Sequence, residues 1–419
     1  MPAKAGIQGQ ARVKWPWIPA FAGMTDTYGE DAMKRSTQRI LTTHVGSLPR
    51  PDDLRALILK KQQGEAVDEA AFAARVRRAV GEAVRHQGDA GIDILADGEM
   101  GRIGFIPYVN ERLAGIEPSK TAESANYWGL SREYQAFPEF YAWAAGMPGT
   151  AGQTGRTRWV CTGPISYKGL PALENDIATL QAALAGVPHE EAFMPAVSPA
   201  NLANWNRNEH YKNEEEYLYA LAEALSEEYR AIIDAGLVLQ VDDPLLASYY
   251  VMHPEASVED CRKWAIVRVD ALNHALRGLP ADRIRYHTCY SINIGPRVHD
   301  MELKHIVDIM LRVNAGAYSF EAANPRHEHE WQVWESAKLP EGKALIPGVI
   351  THSSNIVEHP ELIAQRIARF AGAVGRENVI AGADCGFASF AATCEVHPSV
   401  VWVKLKALAD GARLASAAL

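Results

Sequence analysis

The stretch "RIRYHTCYSINIG", residues 283–295, sets His287 and Cys289 two positions apart at the end of an apolar run. An imidazole and a thiolate are donors that suit zinc, and residues two apart on a strand face the same side. Alone the spacing is a weak signal, because cysteine is among the most buried residue types and a lone histidine also serves as a satisfied core imidazole. Two more groups strengthen it. Glu321 in "YSFEAANPRHEHEW" and Cys385 in "AGADCGFAS" each follow a short apolar run. One imidazole, two thiolates and one carboxylate form a tetrahedral zinc set, provided the fold gathers residues about a hundred positions apart.

Other soft or titratable groups compete with this reading. His327 and His329 in "RHEHEWQVWE" are two apart at the start of a helix, a spacing that does not bring side chains together, so they are expected at the surface or behind the ligands. Glu321 could instead pair with Arg326. Cys161 and Cys261 read as core packing, and Cys394, close in sequence to Cys385, calls for a mutational control.

The elements that must position these groups are legible from Arg39 onward, where short apolar runs alternate with long amphipathic segments. Strands are predicted at 40–46, 92–96, 158–161, 237–241, 284–288, 317–320, 344–349 and 379–381. Helices are predicted at 68–91, 214–235, 258–277 and 361–375. Eight strands with intervening helices predict an α/β fold, a (β/α)8 TIM barrel, with a doubly wound open sheet as the alternative. In such a barrel the chemistry sits at the C-terminal strand ends. "HVGSLPRP", "ADGEMGR" and "QVDDPLLA" then stand on the same rim as His287, Cys289, Glu321 and Cys385. His352, after strand seven, is a candidate for protonating or orienting a leaving group; a solvent-facing loop histidine is the plainer reading.

An insertion at about 117–156 carries aromatics at 127, 128, 134, 137, 140, 141 and 143. It reads either as a small satellite core or as a lid over the barrel mouth. The run "EEAFMPAVSPANLANW" is assigned to an added loop–helix unit. Residues 1–32 show neither period, so a non-native or disordered extension is expected there, with the natural product starting at Met33 and a single catalytic barrel spanning 33–419.

The bulk numbers bound the function. The 419 residues, 47% hydrophobic, can bury a large core, and 51 acidic against 42 basic side chains argue against a nucleic-acid surface. No apolar run reaches the roughly 18 to 20 residues of a membrane helix and no signal peptide is evident, so a cytoplasmic protein is expected. Five cysteines, an odd and sparse set, read as thiols or metal ligands rather than disulfides.

With these motifs in view, "TTHVGSLPRP", "DGEMGR", "TGPISY", "QVDDP", "HTC", "FEAANPR" and "DCGF" together resemble the catalytic, C-terminal barrel of cobalamin-independent methionine synthase over roughly residues 39–415. The resemblance implies a zinc barrel in which a thiol binds the metal and is alkylated, with no cobalamin. It puts His287, Cys289, Glu321 and Cys385 on the family's zinc ligands. It also implies that Ser47 holds the carboxylate of a thiol such as homocysteine and that Glu99 and Asp242 grip its ammonium. Two carboxylates on one rim repel each other unless a cation lies between them, which agrees. The local alternative has Asp242 and Asp243 capping the segment at Pro244 and Glu99 pairing with Arg102.

The partners implied are a small-molecule thiol and an alkyl donor, a methyl-folate among the donors, and a homo-oligomer is left open. Long synthases carry a second, N-terminal barrel for polyglutamylated folate that is not matched here, and the residues after Cys289 differ from theirs. "SINIGPRVHD" and "EAANPRHEHEW" also resemble epoxyalkane:coenzyme M transferases, where a sulfonate would ask for arginines such as Arg50, Arg102 or Arg297. A non-catalytic zinc-binding paralogue is the remaining alternative.

Overall fold

The computed structural model describes residues 32–119, 129–144, 158–290, 295–392 and 396–419. Residues 33–419 form one compact unit. The expectations for residues 1–31, for Tyr127 and Trp128, and for Cys394 lie outside the described residues.

Eight parallel strands make a nearly closed barrel with helices between them. They are β1 (Leu41–Thr42), β2 (Ile94–Leu95), β3 (Glu191–Val197), β4 (Val238–Asp242), β5 (Ile284–Thr288), β6 (Ala317–Phe320), β7 (Ala344–Ile350) and β8 (Ile380–Ala383). Each pairs with the next from β2 to β8, and β8 returns to β1. Between β1 and β2 the Asp93 amide donates to the Thr42 carbonyl at 3.2 Å, and the Asp93 carboxylate accepts from the Thr42 amide and hydroxyl, both at 2.8 Å. This side-chain clasp finishes the ring where strand pairing is short.

The third strand is a correction. Arg158–Cys161 was expected in the barrel, yet Trp159–Tyr167 pairs antiparallel with Leu113–Pro118 and parallel with Asn206–Asn208 in an outer three-stranded sheet. The barrel's third strand is "EAFMPAV", the run assigned to an added unit. Pro195 lacks an amide and so reads as a strand breaker, but it sits in register with Gln240 of β4. Burial distinguishes the two. Every residue of Glu191–Val197 is buried, as a strand covered on both faces requires, whereas Trp159–Tyr167 has one side toward solvent.

The helices follow their sequence signals. Glu69–Ala90 starts at Asp68, whose side chain accepts from the amides of Ala70 and Ala71, and ends at Gly91 with φ 84°, a left-handed cap that glycine adopts without strain. Val258–Ala275 opens with a capping box between Ser257 and Asp260. Among the described residues no helix is long and apolar enough to cross a membrane.

Inside the ring, Leu41, Ile94, Phe193, Val238, Ala317, Ile346 and Ile380 form an apolar layer. A polar layer involves Arg285, which lies 3.4 Å from the centre of the Phe193 ring. Its guanidinium donates to Gln240 Oε1 (2.7 Å), Thr43 Oγ1 (2.9 Å) and the His44 carbonyl (2.6 Å). A buried guanidinium with this many acceptors ties β1, β4 and β5 together beneath the rim.

The described part of the aromatic insertion is two short helices, Arg132–Ala136 and Pro138–Ala144. Arg132 donates to the carbonyls of Tyr250, His253 and Ala256, at 2.9, 3.1 and 2.5 Å, which pins the insertion to the segment after β4. Tyr141 packs against both Tyr134 and Phe140.

Candidate metal centre and substrate pocket

His287, Cys289 and Cys385 meet at the C-terminal rim, with one ligand atom of each lying within 4.8 Å of the others. Closure of the ring makes this possible, since β5 and β8 deliver groups far apart in the chain. The sulfurs of Cys289 and Cys385 are 3.3 Å apart and unbonded. His287 Nδ1 is held by Ser319 Oγ at 3.0 Å, its register partner on β6. That contact orients the ring and leaves Nε2 buried with no hydrogen-bond partner.

The electrostatics suit a cation. Burial, then the Arg285 charge, brings the His287 pKa down to about 3, so the imidazole is a neutral ligand across the physiological range. The Cys385 thiol is pushed well above its usual range, first by its contact with Cys289 and then by burial. Two crowded thiols and one orphaned imidazole nitrogen in a dry pocket form a donor set that a divalent ion would complete. The residues present therefore fit zinc.

Glu321, the fourth expected ligand, is not gathered with them. Its carboxylate is saturated by other donors: Oε1 accepts from the Tyr290 amide (2.8 Å) and Arg297 Nη2 (3.3 Å), and Oε2 from Arg297 Nη1 (3.0 Å) and Asn324 Nδ2 (3.3 Å). The competing expectation named Arg326, but the partner is Arg297. His327 is buried behind this pair. It is flanked by Glu330 at 2.9 Å and Asp300 at 3.0 Å, and it stacks on the Tyr290 ring with centroids 3.8 Å apart.

The same rim carries a carboxylate pair. Asp242 ends β4 in register with His287. Burial first, then the Glu99 charge, raises its pKa well above the usual range, while the Gln240 amide, donating at 2.7 Å, opposes the shift. Glu99 is also buried and its pKa is raised by desolvation. Its backbone is left-handed at φ 56°, an unusual conformation for a non-glycine residue and of the kind found at functional sites. The local alternative survives in part, since behind burial the charges of Arg102 and Arg50 act on Glu99. Asp243, not Asp242, accepts from Asn201 and Tyr286, and Arg102 donates to the Pro195 carbonyl at 3.0 Å.

Ser47 stands over the loop that carries Cys385. A Cβ at position 386 would lie 2.0 Å from Ser47 Oγ, so only glycine after Cys385 lets the hydroxyl occupy this place. The Phe387 amide donates to the Ser47 carbonyl at 3.0 Å, joining the loops after β1 and β8.

His352 is fully buried rather than facing solvent. It is close enough to His287 and Glu321 for its charge to perturb both. Its loop is anchored from the outer shell: the Thr351 amide donates to Glu358 at 2.7 Å, and Glu358 pairs with the buried Lys404 at 2.7 Å.

Sequence reasoning missed Ser319, Gln240 and Arg285. All three sit two residues before a candidate group on or just past the same strand, Ser319 before Glu321, Gln240 before Asp242 and Arg285 before His287. A polar residue two back from a rim residue in a buried strand points into the same interior and was a usable signal.

A family model described as "Cobalamin-independent synthase, Catalytic domain" matches residues 40–132 and 158–402, and the chain belongs to that family. It is 25% identical over 347 residues to a methionine synthase of Sulfolobus acidocaldarius, covering 82% of this chain and 85% of that one. It is also 24% identical over 295 residues to a 5-methyltetrahydropteroyltriglutamate–homocysteine methyltransferase of Thermotoga petrophila, covering 68% of this chain but 33% of that longer one. A B12-independent methionine synthase from a Shewanella species, solved with selenomethionine, superposes with a TM-score of 0.67 at 19% identity over 90% of this chain and 97% of that one, a likeness of fold.

Proposed function

We propose that the protein is a zinc-dependent methyltransferase that alkylates the sulfur of homocysteine. The observation that carries this reading is the meeting of His287 with the two thiols on a rim that also carries a buried carboxylate pair. Family membership and the names of the relatives support the reaction class. A zinc ion held by His287, Cys289 and Cys385 would act as a Lewis acid that favours the thiolate of a substrate over its thiol at neutral pH.

The chain's own residues do the rest. Glu99 and Asp242, each destabilised by burial, regain favourable electrostatics when a substrate ammonium enters between them. Ser47 offers its hydroxyl to the carboxylate at the other end of the amino acid. His287 stays neutral because Arg285 and burial disfavour its charge, and Ser319 fixes its orientation. His352, buried and within electrostatic reach of His287 and Glu321, is the group we assign to hold a proton at the leaving group of the methyl donor. Fixing nucleophile and donor in line is worth roughly 7 kcal/mol or more in favourable cases.

A sulfonate thiol is the less favoured reading. Arg50 gives its terminal nitrogens to the carbonyls of Ala388 and Glu99, at 2.7 and 2.8 Å, and Arg297 is committed to Glu321, whereas Arg102 gives Nη1 to the Pro195 carbonyl and keeps Nε and Nη2 buried without a hydrogen bond. Two acidic side chains at the pocket would repel an anion. We place the reaction in the cytoplasm, where thiols in contact stay reduced. A methyl-folate is the donor we favour. The test is product mass from zinc-loaded protein offered homocysteine or coenzyme M with 5-methyltetrahydrofolate, a small methylated donor or an epoxide. Methionine from homocysteine supports the reading; a thioether of coenzyme M, or no product with any pair, overturns it.

A further inference from the structure

The two ends of the pocket proposed for the amino acid are carried by different strands, and one side chain beneath the rim ties them together. Ser47 stands in the loop after β1, whereas Asp242 closes β4. Gln240, fully buried, reaches both. Its Nε2 donates to Asp242 Oδ1 at 2.7 Å and to the carbonyl of Val45, two residues before Ser47. A carboxamide nitrogen has two hydrogens, so both are spent, one on each end of the pocket. The amide cannot turn over. Its Oε1 accepts from Arg285 Nε at 2.7 Å, and a guanidinium has no acceptor to offer a flipped amide.

The loop that Gln240 holds is fixed from other sides as well. Arg285 donates to the Thr43 hydroxyl and the His44 carbonyl. His44 takes the Gly46 amide on Nδ1 at 3.1 Å and gives Nε2 to Gln87 Oε1 at 2.8 Å. A Cβ at position 46 would lie 2.7 Å from Pro195 Cγ and 3.1 Å from Glu99 Oε1, so the glycine lets the loop pack directly on the second carboxylate. Among the described residues, Gln240 is the one side chain that both braces this loop and donates to the Asp242 carboxylate.

We infer that Gln240 is a positioning residue that sets the spacing between the ammonium site at Asp242 and the carboxylate site at Ser47, and so selects a thiol that carries both groups on one carbon. This rests on the homocysteine reading above and goes beyond it. An α-amino acid is a short two-point ligand whose charged groups cannot move apart, so it gains from both sites only when they are held in advance at its own spacing. A thiol with one of the two groups makes no such demand.

The experiment is calorimetric titration of the zinc-loaded full chain with homocysteine, with γ-mercaptobutyrate, which lacks the ammonium, and with mercaptopropylamine, which lacks the carboxylate. Gln240→Met keeps the length and loses both donors. It is expected to bind homocysteine about 30-fold more weakly, the scale of a hydrogen bond to a charged group, and each single-ended thiol within about threefold of wild type. Gln240→Glu keeps an acceptor for Arg285, which protects the fold, and decides the question should Gln240→Met fail to fold. It is expected to weaken homocysteine by about tenfold or more while holding mercaptopropylamine at least as tightly as wild type. Equal weakening of all three thiols marks a general packing role, and equal weakening of homocysteine and mercaptopropylamine alone marks an effect on Asp242 alone; either result overturns the inference. So does an unchanged homocysteine affinity in Gln240→Glu. Zinc-loaded wild type that does not bind homocysteine overturns the homocysteine reading and this inference with it.

Discussion

Two polar clusters meet at the ends of β5 and β6. Around Glu321 the charged groups are matched: Arg297, the Tyr290 amide and Asn324 hold its carboxylate, and Asp300 pairs with His327 behind them, although the Tyr290 hydroxyl is buried without a hydrogen bond. The other cluster, close enough for the Glu321 charge to act on Cys385, is left incomplete. His287 Nε2 is orphaned and two thiols touch without bonding. Both are buried, so burial does not distinguish them; satisfaction does. A saturated network specifies structure, and an unsatisfied one in a native fold points to something that binds.

The largest effect that could break this contrast comes from the incomplete side. Cys289→Ser and Cys385→Ser are each expected to weaken zinc binding by more than about a hundredfold and abolish methyl transfer, measured by metal content and product formation. Retention of stoichiometric metal by either would remove that residue from the ligand set.

Next come the carboxylates. Asp242→Asn and Glu99→Gln are expected to raise KM for homocysteine by about 10- to 100-fold, the worth of a hydrogen bond to a charged group, with zinc content unchanged. A drop in zinc instead would place these residues in the metal site. Ser319→Ala, which frees the His287 ring to turn, is expected to weaken zinc by about tenfold with little change in KM.

The smallest effect belongs to the saturated side. Although burial alone would lower it, hydrogen bonds from His327 to Asp300 and Glu330 raise its pKa to about 9, above the ordinary 6.5. A raised imidazole pKa stabilises the fold fully below pH 6.5, and the contribution fades as pH rises through about 9. The urea midpoint of wild type is therefore expected to fall between pH 6.5 and 9.5 more than that of His327→Gln. Parallel curves would show that His327 is neutral.

How much of this was legible in the sequence follows from the same contrast. Strong periodicity and caps, as at Asp68 and Ser257, fix helices locally, so those bounds were readable. The third strand was not, because Pro195 carried a local breaker signal that register with Gln240 overrides. Among site residues, the gathering of His287, Cys289 and Cys385 follows from placing them at strand ends of one ring. Glu321 shares that level, but whether its carboxylate points to the thiols or to Arg297 depends on a loop conformation, including the left-handed turn at Arg297, that no periodic pattern encodes. Arg297 was visible only as a spare cation. Its partner lies 24 positions away and is chosen by tertiary packing.

The central claim is that His287, Cys289 and Cys385 hold a zinc ion that admits a substrate sulfur. X-ray absorption at the zinc edge, before and after adding homocysteine, measures it most directly. Two sulfur scatterers rising to three is the expected result. An absent metal, or a sulfur count that does not change when homocysteine binds, contradicts the account.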